Sequence, residues 1–451
     1  METAKSRGYL FTNKQLFKLI LPLVMEQLLT LLVGMADTIM VSSVGEAAVS
    51  GVSLVDTVNI LLINVFIALA TGGAVVAGQY IGSKKYDQAC KSADQLFVFM
   101  GVISIGVMVI MYLIHGIILD KVFGSITADV RSAAFTYLMI VTASIPFIAI
   151  YNAGAALFRA MGNSSISMKV SIVMNAINVC GNAILIYGLH RGVEGVAIPT
   201  VVSRIAAAVI MTVLLLNQKY TVHLTRPFKY KFNGDMIKKM LYIGVPNSLE
   251  NSMFQLGKIL VLSLVSSFGT VSIAANAVGN NIASIECMPG LAMSYALTAV
   301  VSQCVGANDY EQVKYYIRKL IVICYALMFV LNVAIMPFLN EITNIYSLSS
   351  ETAALAKQIL ILHGINCCIS WSLSFNIPNA LRACADVKYT LIVSAASMWI
   401  VRIGASFVLG KFMGMGLFGV WAAMILDWYV RAIFYVFRLK GGKWQKQALI
   451  N

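Results

Sequence analysis

Charged residues are scarce in this chain of 451 amino acids, where Asp, Glu, Lys and Arg together make up only 12%. A soluble domain carries about 25% charged residues, so this chain has too little polar surface for a water-soluble globule. Hydrophobic residues make up 59%, and the mean hydropathy is +0.83. The composition excludes an ordinary cytosolic enzyme, a disordered protein and a disulfide-linked secreted module. It indicates a membrane protein with many spans.

Motifs that would define an enzyme or a metalloprotein are also absent. The sequence has no GxxxxGK[ST] run, so we expect no ATP hydrolysis. The eight cysteines form no CxxC pair, and several lie in apolar runs, as Cys180, Cys324 and Cys367 do. We therefore interpret the cysteines as small packing residues rather than disulfide partners or metal ligands. The chain is predicted not to be an enzyme.

Twelve largely apolar stretches are long enough to cross a bilayer as α-helices, which takes about 20 residues each. They lie near 16–41, 51–76, 95–118, 130–151, 166–189, 193–217, 241–266, 273–300, 317–339, 352–377, 388–410 and 416–437. An even number of spans puts both termini on the same side of the membrane. The predicted fold class is therefore an all-α integral membrane protein.

Basic residues are distributed unevenly between the two sides of these spans. Of the 33 Lys and Arg residues, 24 lie on the side that holds both termini and five on the other side. Because Lys and Arg accumulate in cytoplasmic loops, both termini are predicted to be cytoplasmic. This bias explains the net charge of +14, so we expect the lipid bilayer as a partner and no nucleic acid.

The longest loop divides the chain into two halves of six spans. The predicted organisation is a cytoplasmic N-terminus (1–15), an N-lobe (16–217), a cytoplasmic linker (218–240), a C-lobe (241–437) and a cytoplasmic C-terminus (438–451). A shift of 224 residues aligns the halves and matches these pairs: Pro22 with Pro246, Glu26 with Glu250, Gln79 with Gln303 and Asn152 with Asn376. We infer two copies of one unit, related by a pseudo-two-fold axis along the membrane normal.

Four segments in this order resemble the multidrug and toxic compound extrusion (MATE) family: MADTIMVSSVG (35–45), VAGQYIGSKKYDQA (76–89), LFRAMGN (157–163) and GVAIPT (195–200). The resemblance covers nearly the whole chain. It implies two six-helix lobes around a V-shaped central cleft, in a monomer of the prokaryotic plasma membrane. The implied function is secondary-active antiport by alternating access, with no cofactor. Small amphipathic organic compounds, often cationic, would be exported in exchange for H⁺ or Na⁺.

The resemblance also implies a cation-coupling site in the amino-terminal lobe. The residues that match it are Asp37 in span 1, Tyr137 and Asn152 in span 4, Asn178 and Asn182 in span 5, and Thr200 in span 6. One branch of the family has a carboxylate where this chain has Asn182. That difference leaves Asp37 as the only acid among the matched residues.

The residues themselves also point to a site around Asp37. An acid within an apolar span costs about 2.5–3.5 kcal/mol on insertion scales, so it must be paired, protonated or in contact with water. Asn175, Asn178 and Asn182 share one face of span 5 because they are three and four residues apart. With Asp37 and Thr200 these amides would form a cage of hard oxygens suited to H⁺ or Na⁺. The alternatives are a salt bridge from Asp37 to Lys258 or Arg204, and interhelical hydrogen bonds from the asparagines.

Three further polar residues are candidates for the substrate cleft. Glu26 and Glu250 occupy equivalent positions four residues after a proline, and Asn376 lies in span 10. The two acids would attract a cationic substrate, or would satisfy backbone groups that the proline kinks leave open. Two other functions stay open: a flippase of lipid-linked saccharides in the same broad superfamily, and a major-facilitator-type transporter.

Overall fold

A computed structural model describes residues 8–124, 126–225, 232–346, 348–447 and 449 of the chain. All regular elements within these ranges are helical. Parts of the predicted N-terminus, linker and C-terminus lie outside the described residues, as do five of the basic residues counted above: Lys5, Arg7, Arg226, Lys229 and Lys231.

Thirteen long helices carry the fold within the described ranges. They are α1 (Asn13–Ser42), α2 (Glu46–Gly82), α3 (Tyr86–Val122), α4 (Ala128–Thr142), α5 (Ile145–Ala160), α6 (Ser164–Gly188), α7 (Glu194–Leu215), α8 (Gly234–Ser266), α9 (Thr270–Gly306), α10 (Tyr310–Ile345), α11 (Ser350–Ala383), α12 (Val387–Phe412) and α13 (Gly416–Lys440). Several contain π or 3₁₀ turns, which end α3 and α6 and interrupt α10, α11 and α12.

Ten of these helices are long and apolar enough to span a membrane, and the bent pair of α4 and α5 provides an eleventh candidate. The two helices of that pair bend by 51°, where Pro146 has no N–H to continue the helical ladder. The seventh predicted span lies in α8, which carries the polar residues Asn247, Glu250, Gln255 and Lys258 and is not among the eleven. The predicted all-α membrane fold is confirmed.

The chain forms two compact units. The amino-terminal unit is Asn13–Ser248, and the carboxy-terminal unit is Leu249–Asn451 together with the described part of Met1–Thr12. Residues before α1 pack on α10: the backbone N–H of Leu10 donates to Gln312 Oε1 at 2.8 Å, and that of Phe11 donates to Tyr316 Oη at 2.8 Å. The units divide inside α8, so lobe boundaries at the linker 218–240 stay a prediction.

Small residues let α2 and the first part of α8 approach closely within the amino-terminal unit. A Cβ atom added at Gly72 would lie 2.4 Å from the carbonyl oxygen of Met240 and 2.9 Å from the amide nitrogen of Gly244. Ser248 Oγ donates across the same contact to the carbonyl of Val65 at 3.3 Å. Close backbone approach through small residues is the usual packing mode where lipid removes the hydrophobic driving force.

We expect Gly72→Ala to destabilise the amino-terminal unit by about 1–3 kcal/mol, the usual cost of overpacking, because both nearest atoms belong to backbone and cannot rotate away. Gly106→Ala on α3 is the matched control, since nothing lies within 4 Å of its added Cβ. Thermal unfolding of the two purified variants in detergent measures the difference. Equal melting temperatures would contradict the close contact between α2 and α8.

Candidate cation site

Asp37 lies near the carboxyl end of α1 and contacts α6. Its side chain is half-buried, and its Oδ1 accepts a hydrogen bond of 2.9 Å from the amide nitrogen of Asn182. No Lys, Arg or His within the described ranges forms an ion pair with this carboxylate. Arg204, one of the two basic partners considered above, donates instead to Ser144 Oγ at 2.7 Å. The carboxylate therefore faces polar neighbours of its own unit without a salt bridge to Arg204.

Asn178 joins Asp37 to Thr200. Only one amide orientation gives both ends of Asn178 a complementary partner. In it, the nitrogen donates to Oδ1 and Oδ2 of Asp37 at 3.0 and 3.1 Å, and the oxygen accepts from the Thr200 hydroxyl at 3.1 Å. Four of the predicted residues, Asp37, Asn178, Asn182 and Thr200, thus come together at the contact between α1, α6 and α7.

Local sequence explains why these side chains meet. Asn178 and Asn182 are four residues apart, so they project from one face of α6 toward α1. Beside them, a Cβ atom at Gly181 would lie only 2.7 Å from Cβ of Pro199. The missing side chain at Gly181 brings α7 close to α6, which places Thr200 within hydrogen-bonding distance of Asn178.

Three other predicted residues do not contact Asp37. The amide nitrogen of Asn175 donates to Ser171 Oγ at 3.4 Å, one turn back on α6. Tyr137 is buried, and its hydroxyl donates to Asp56 Oδ1 at 3.0 Å. The amide nitrogen of Asn152 is buried with no acceptor among the described residues.

Sequence reasoning missed Asp56, the second acid in this part of the unit. Asp56 lies on α2, accepts from Tyr137 and from Asn59 Nδ2 (3.4 Å), and interacts electrostatically with Arg204 and with Asp37. The available signal was its position inside an apolar span, the same feature that singled out Asp37. The cluster thus contains two acids and one guanidinium, and Asp37 is the acid without a basic hydrogen-bond partner.

This arrangement can exchange partners with an incoming cation. The carboxylate of Asp37 now accepts N–H groups from two asparagines, and such donors favour its ionised form. Each amide also carries an acceptor oxygen, and Oδ1 of Asn182 is buried with no donor among the described residues. Half a turn of an amide group would present oxygen instead of nitrogen, which suits Na⁺. A proton would instead bind the carboxylate directly.

The two glutamates proposed for the substrate cleft lie instead in buried ion pairs, one in each unit. Arg159 Nη1 lies 3.5 Å from Glu26 Oε1, and Arg382 Nη2 lies 2.9 Å from Glu250 Oε1. The predicted span 130–151 ended too early: α5 continues to Ala160, so Arg159 is helical and buried rather than a loop residue. These contacts favour a structural role for both acids and leave little negative charge for a substrate.

Asn376, the third proposed cleft residue, is fully buried in the carboxy-terminal unit. Its oxygen accepts from Ser294 Oγ at 2.7 Å, and its nitrogen donates to Ser372 Oγ at 3.0 Å. Both ends of the amide are therefore satisfied within the helix bundle.

A group of positive charges surrounds Phe254 in the same unit. Lys258 Nζ, Arg402 Cζ and Arg431 Cζ lie 5.1, 5.2 and 5.5 Å from the centre of its ring. Asp427 pairs with Arg431 at 3.1 Å, which confirms the predicted i,i+4 ion pair. With Asp427 as the acid paired in this group, three cations outweigh one anion.

Comparison with known proteins gives the architecture a family. The MatE family model matches residues 22–184 and 246–408, well over half of the chain. The two matches begin 224 residues apart, the same offset that aligned the two halves of the sequence.

Curated relatives match along nearly the full length. The "Probable multidrug resistance protein NorM" of Thermotoga maritima is 25% identical over 97% of this chain and 94% of its own length. The "Uncharacterized transporter YisQ" of Bacillus subtilis is 24% identical over 96% of this chain and 95% of its own length.

Solved structures share the fold. An outward-facing multidrug resistance MATE transporter of the MOP superfamily matches with a TM-score of 0.88 at 19% identity, over 95% of this chain and 96% of its own. A Pyrococcus furiosus transporter of that superfamily, described as having a binding pocket of reverse polarity that suggests a different function, matches with a TM-score of 0.86 at 20% identity, over 96% of both chains. The chain therefore belongs to the MatE family, the multidrug efflux transporters that its sequence resembles.

Proposed function

We propose that this membrane transporter is a secondary-active antiporter that exports amphipathic organic compounds in exchange for H⁺ or Na⁺ bound at Asp37. The observation that carries the proposal is the Asp37 carboxylate itself. It is half-buried in an apolar helix, lacks an ion pair among the described residues, and is held by amides that can turn to offer oxygen. A carboxylate placed only to brace the bundle would be expected to have a basic partner.

Exchange follows if the cation and the substrate each favour a different arrangement of the helices. Substrate would bind from the cytoplasm or the inner leaflet, and the cation would then reach Asp37 from outside. Once a cation binds, Asp37 no longer accepts from Asn178 and Asn182, so the contacts of α1 with α6 and α7 change. Linkage requires that a cation which lowers substrate affinity is itself bound less tightly when substrate is present.

The same proposal places the protein in the plasma membrane of a prokaryote, as a monomer with both termini in the cytoplasm. The excess of Lys and Arg on the side of the termini supports this orientation.

The charge of the substrate has two candidate answers. The sequence favoured a cationic compound because of Glu26 and Glu250, yet both acids are neutralised by arginine. The unbalanced charge lies around Phe254, where Lys258, Arg402 and Arg431 share Asp427. This cluster favours an anionic amphipathic substrate as the second candidate, and the reverse-polarity pocket described for the Pyrococcus furiosus transporter fits that direction.

Proteoliposomes containing the purified chain test the proposal. We expect dye flux that depends on an imposed H⁺ or Na⁺ gradient and stops when the gradients are dissipated. Ethidium as a cation and a fluorescent organic acid as an anion are compared in the same vesicles, so the preferred dye identifies the substrate charge. Flux of both dyes without any cation gradient would contradict antiport. Movement of a lipid-linked saccharide in place of dye would establish the flippase alternative.

A further inference from the structure

A group of metal-ligating side chains lies in the carboxy-terminal unit, far along the chain from Asp37. Cys287 is on α9, and His363 and Cys367 are on α11. Their ligand atoms, two Sγ and one imidazole nitrogen, all lie within 4.8 Å of one another. The sequence analysis treated the cysteines as packing residues, and for Cys287 and Cys367 the structure shows a different environment.

The distances match tetrahedral coordination by zinc. Zn–S bonds of about 2.3 Å and Zn–N bonds of about 2.0–2.1 Å set ligand-to-ligand separations of about 3.8 Å for two sulfurs and about 3.6 Å for sulfur and nitrogen. Here Sγ of Cys287 and Sγ of Cys367 are 3.7 Å apart, and Cys287 Sγ is 3.9 Å from His363 Nε2. Two of the three ligand pairs therefore already stand near their bound separation.

The histidine is oriented as a metal ligand would be. Its Nδ1 contacts Glu286 Oε2, which directs Nε2 toward the thiols. A carboxylate that holds the second ring nitrogen is the usual outer partner of a zinc-bound histidine. The rings of Trp421 and Trp428, at 5.5 and 5.2 Å, confine the imidazole from two sides.

Helix irregularities bring the ligands together. His363 and Cys367 are four residues apart, so they share one face of α11, and a π turn begins at Cys367. On the facing helix α9, Pro289 follows Cys287 by two residues and interrupts the hydrogen-bond ladder there. One ion between Cys287 and this face of α11 would link the two helices.

Burial and charge favour a divalent ion of borderline softness. Glu286, His363 and Cys367 are almost fully buried, and Oε1 of Glu286 has no partner among the described residues. Burying such groups without compensation is costly, whereas two thiolates exactly balance the charge of Zn²⁺. Thiolate ligands exclude Na⁺ and Mg²⁺, and Cu⁺ would leave the ligand sphere with a net negative charge. Cys287 is only partly buried, which gives the ion access.

We propose that Cys287, His363 and Cys367, with Glu286 behind the histidine, form a resident Zn²⁺ site that links α9 to α11. The inference does not depend on antiport, because it concerns the carboxy-terminal unit and not the Asp37 cluster.

Metal binding by the purified full chain, carrying an affinity tag without histidines, tests the proposal. After chelation and reduction, we expect the chain to bind one equivalent of Zn²⁺ and to melt at a higher temperature with the metal than without it. Co²⁺ in its place should give thiolate charge-transfer absorption. X-ray absorption at the zinc edge should show two sulfurs at about 2.3 Å and a nitrogen at about 2.0–2.1 Å.

Variants locate the ion. Glu286→Gln should weaken Zn²⁺ binding by about 10–100-fold, the usual effect of losing an outer partner, and Cys287→Ser or Cys367→Ser should weaken it further. Cys304→Ser is the matched control, since Cys304 is a buried thiol of the same helix α9 outside the cluster. Unchanged zinc binding by the Cys287 and Cys367 variants would overturn the proposal. So would a reduced wild-type chain that binds no zinc, or a zinc edge spectrum without sulfur, and neither result depends on a variant that folds.

Discussion

Replacing Asp37 by Asn is expected to abolish export driven by a cation gradient while leaving the protein folded. Asparagine has nearly the same shape as aspartate, but it cannot take up a proton and carries no charge to attract Na⁺. Its own amide would still hydrogen-bond with Asn178 and Asn182, which now donate to the carboxylate. The contact between α1 and α6 is therefore kept, and the ability to respond to a cation is lost.

The clearest readout is the dependence of substrate affinity on the cation. In the wild type, saturating H⁺ or Na⁺ should shift the substrate Kd by about 5–150-fold, the usual range of a coupling free energy of 1–3 kcal/mol. In Asp37→Asn the Kd should be the same with and without the cation. Measuring the Kd of a transported dye across pH and Na⁺ series, together with gradient-driven flux in proteoliposomes, gives both quantities from one preparation.

A matched control separates loss of coupling from loss of an aspartate in general. Asp120 is exposed and pairs with Arg131 at 2.7 Å, so Asp120→Asn removes a carboxylate of the same unit without touching the site. This control should export as the wild type does. If Asp37→Asn retains normal gradient-driven export at normal expression, Asp37 has no part in coupling and the proposed function loses its cation site.

The centre of this site was predictable because its residues satisfy two independent rules. An acid in an apolar span needs a reason to be there, and asparagines spaced by four residues share a helix face. Those rules identified Asp37, Asn178 and Asn182. They do not say which face of a helix meets which neighbour, so Tyr137 was grouped with Asp37, whereas its hydroxyl binds Asp56. Tertiary pairing of α2 with α4 decides that contact.

Helix irregularity is what the sequence conceals most. The π turn at Cys367 follows from packing within the carboxy-terminal unit and has no local signature of its own. The cluster of Cys287, His363 and Cys367 was missed for a related reason. Its ligands lie on two helices separated by more than 70 residues, so no short motif contains them. The spacing of His363 and Cys367 by four residues was the one signal available, and only the facing cysteine of α9 gives it meaning.

The arginine partners of Glu26 and Glu250 were within reach of the repeat. Aligning LFRAMGN (157–163) with LRACAD (381–386) places Arg159 on Arg382, just as Glu26 falls on Glu250. Two acids and two arginines that repeat together indicate one interaction present twice. The structure shows this interaction in each unit, and a hydroxyl supplements it each time: Ser167 donates to Glu26 at 2.9 Å, and Ser394 donates to Glu250 at 2.6 Å.

Breaking the pair of Arg382 and Glu250 is therefore expected to have the largest effect on stability of any single change in the carboxy-terminal unit. Removing one partner of a buried ion pair costs about 3–5 kcal/mol, because the other charge stays buried without compensation. We expect this loss for Arg382→Met and a comparable one for Glu250→Gln. The double variant should regain most of the stability, since replacing both charges by neutral groups is often neutral or favourable.

Burial, rather than the distance between the charged atoms, determines this outcome. Arg131 and Asp120 are closer, at 2.7 Å, but both side chains are about half exposed, and such pairs contribute about 0–1 kcal/mol. Arg131→Met is thus the control that should barely change the free energy of unfolding. The equivalent pair of Arg159 and Glu26, at 3.5 Å, should show a smaller coupling energy than that of Arg382 and Glu250. Denaturant unfolding of each cycle in mixed micelles measures these couplings. Equal losses for Arg131→Met and Arg382→Met would show that the buried pairs do not hold the units together.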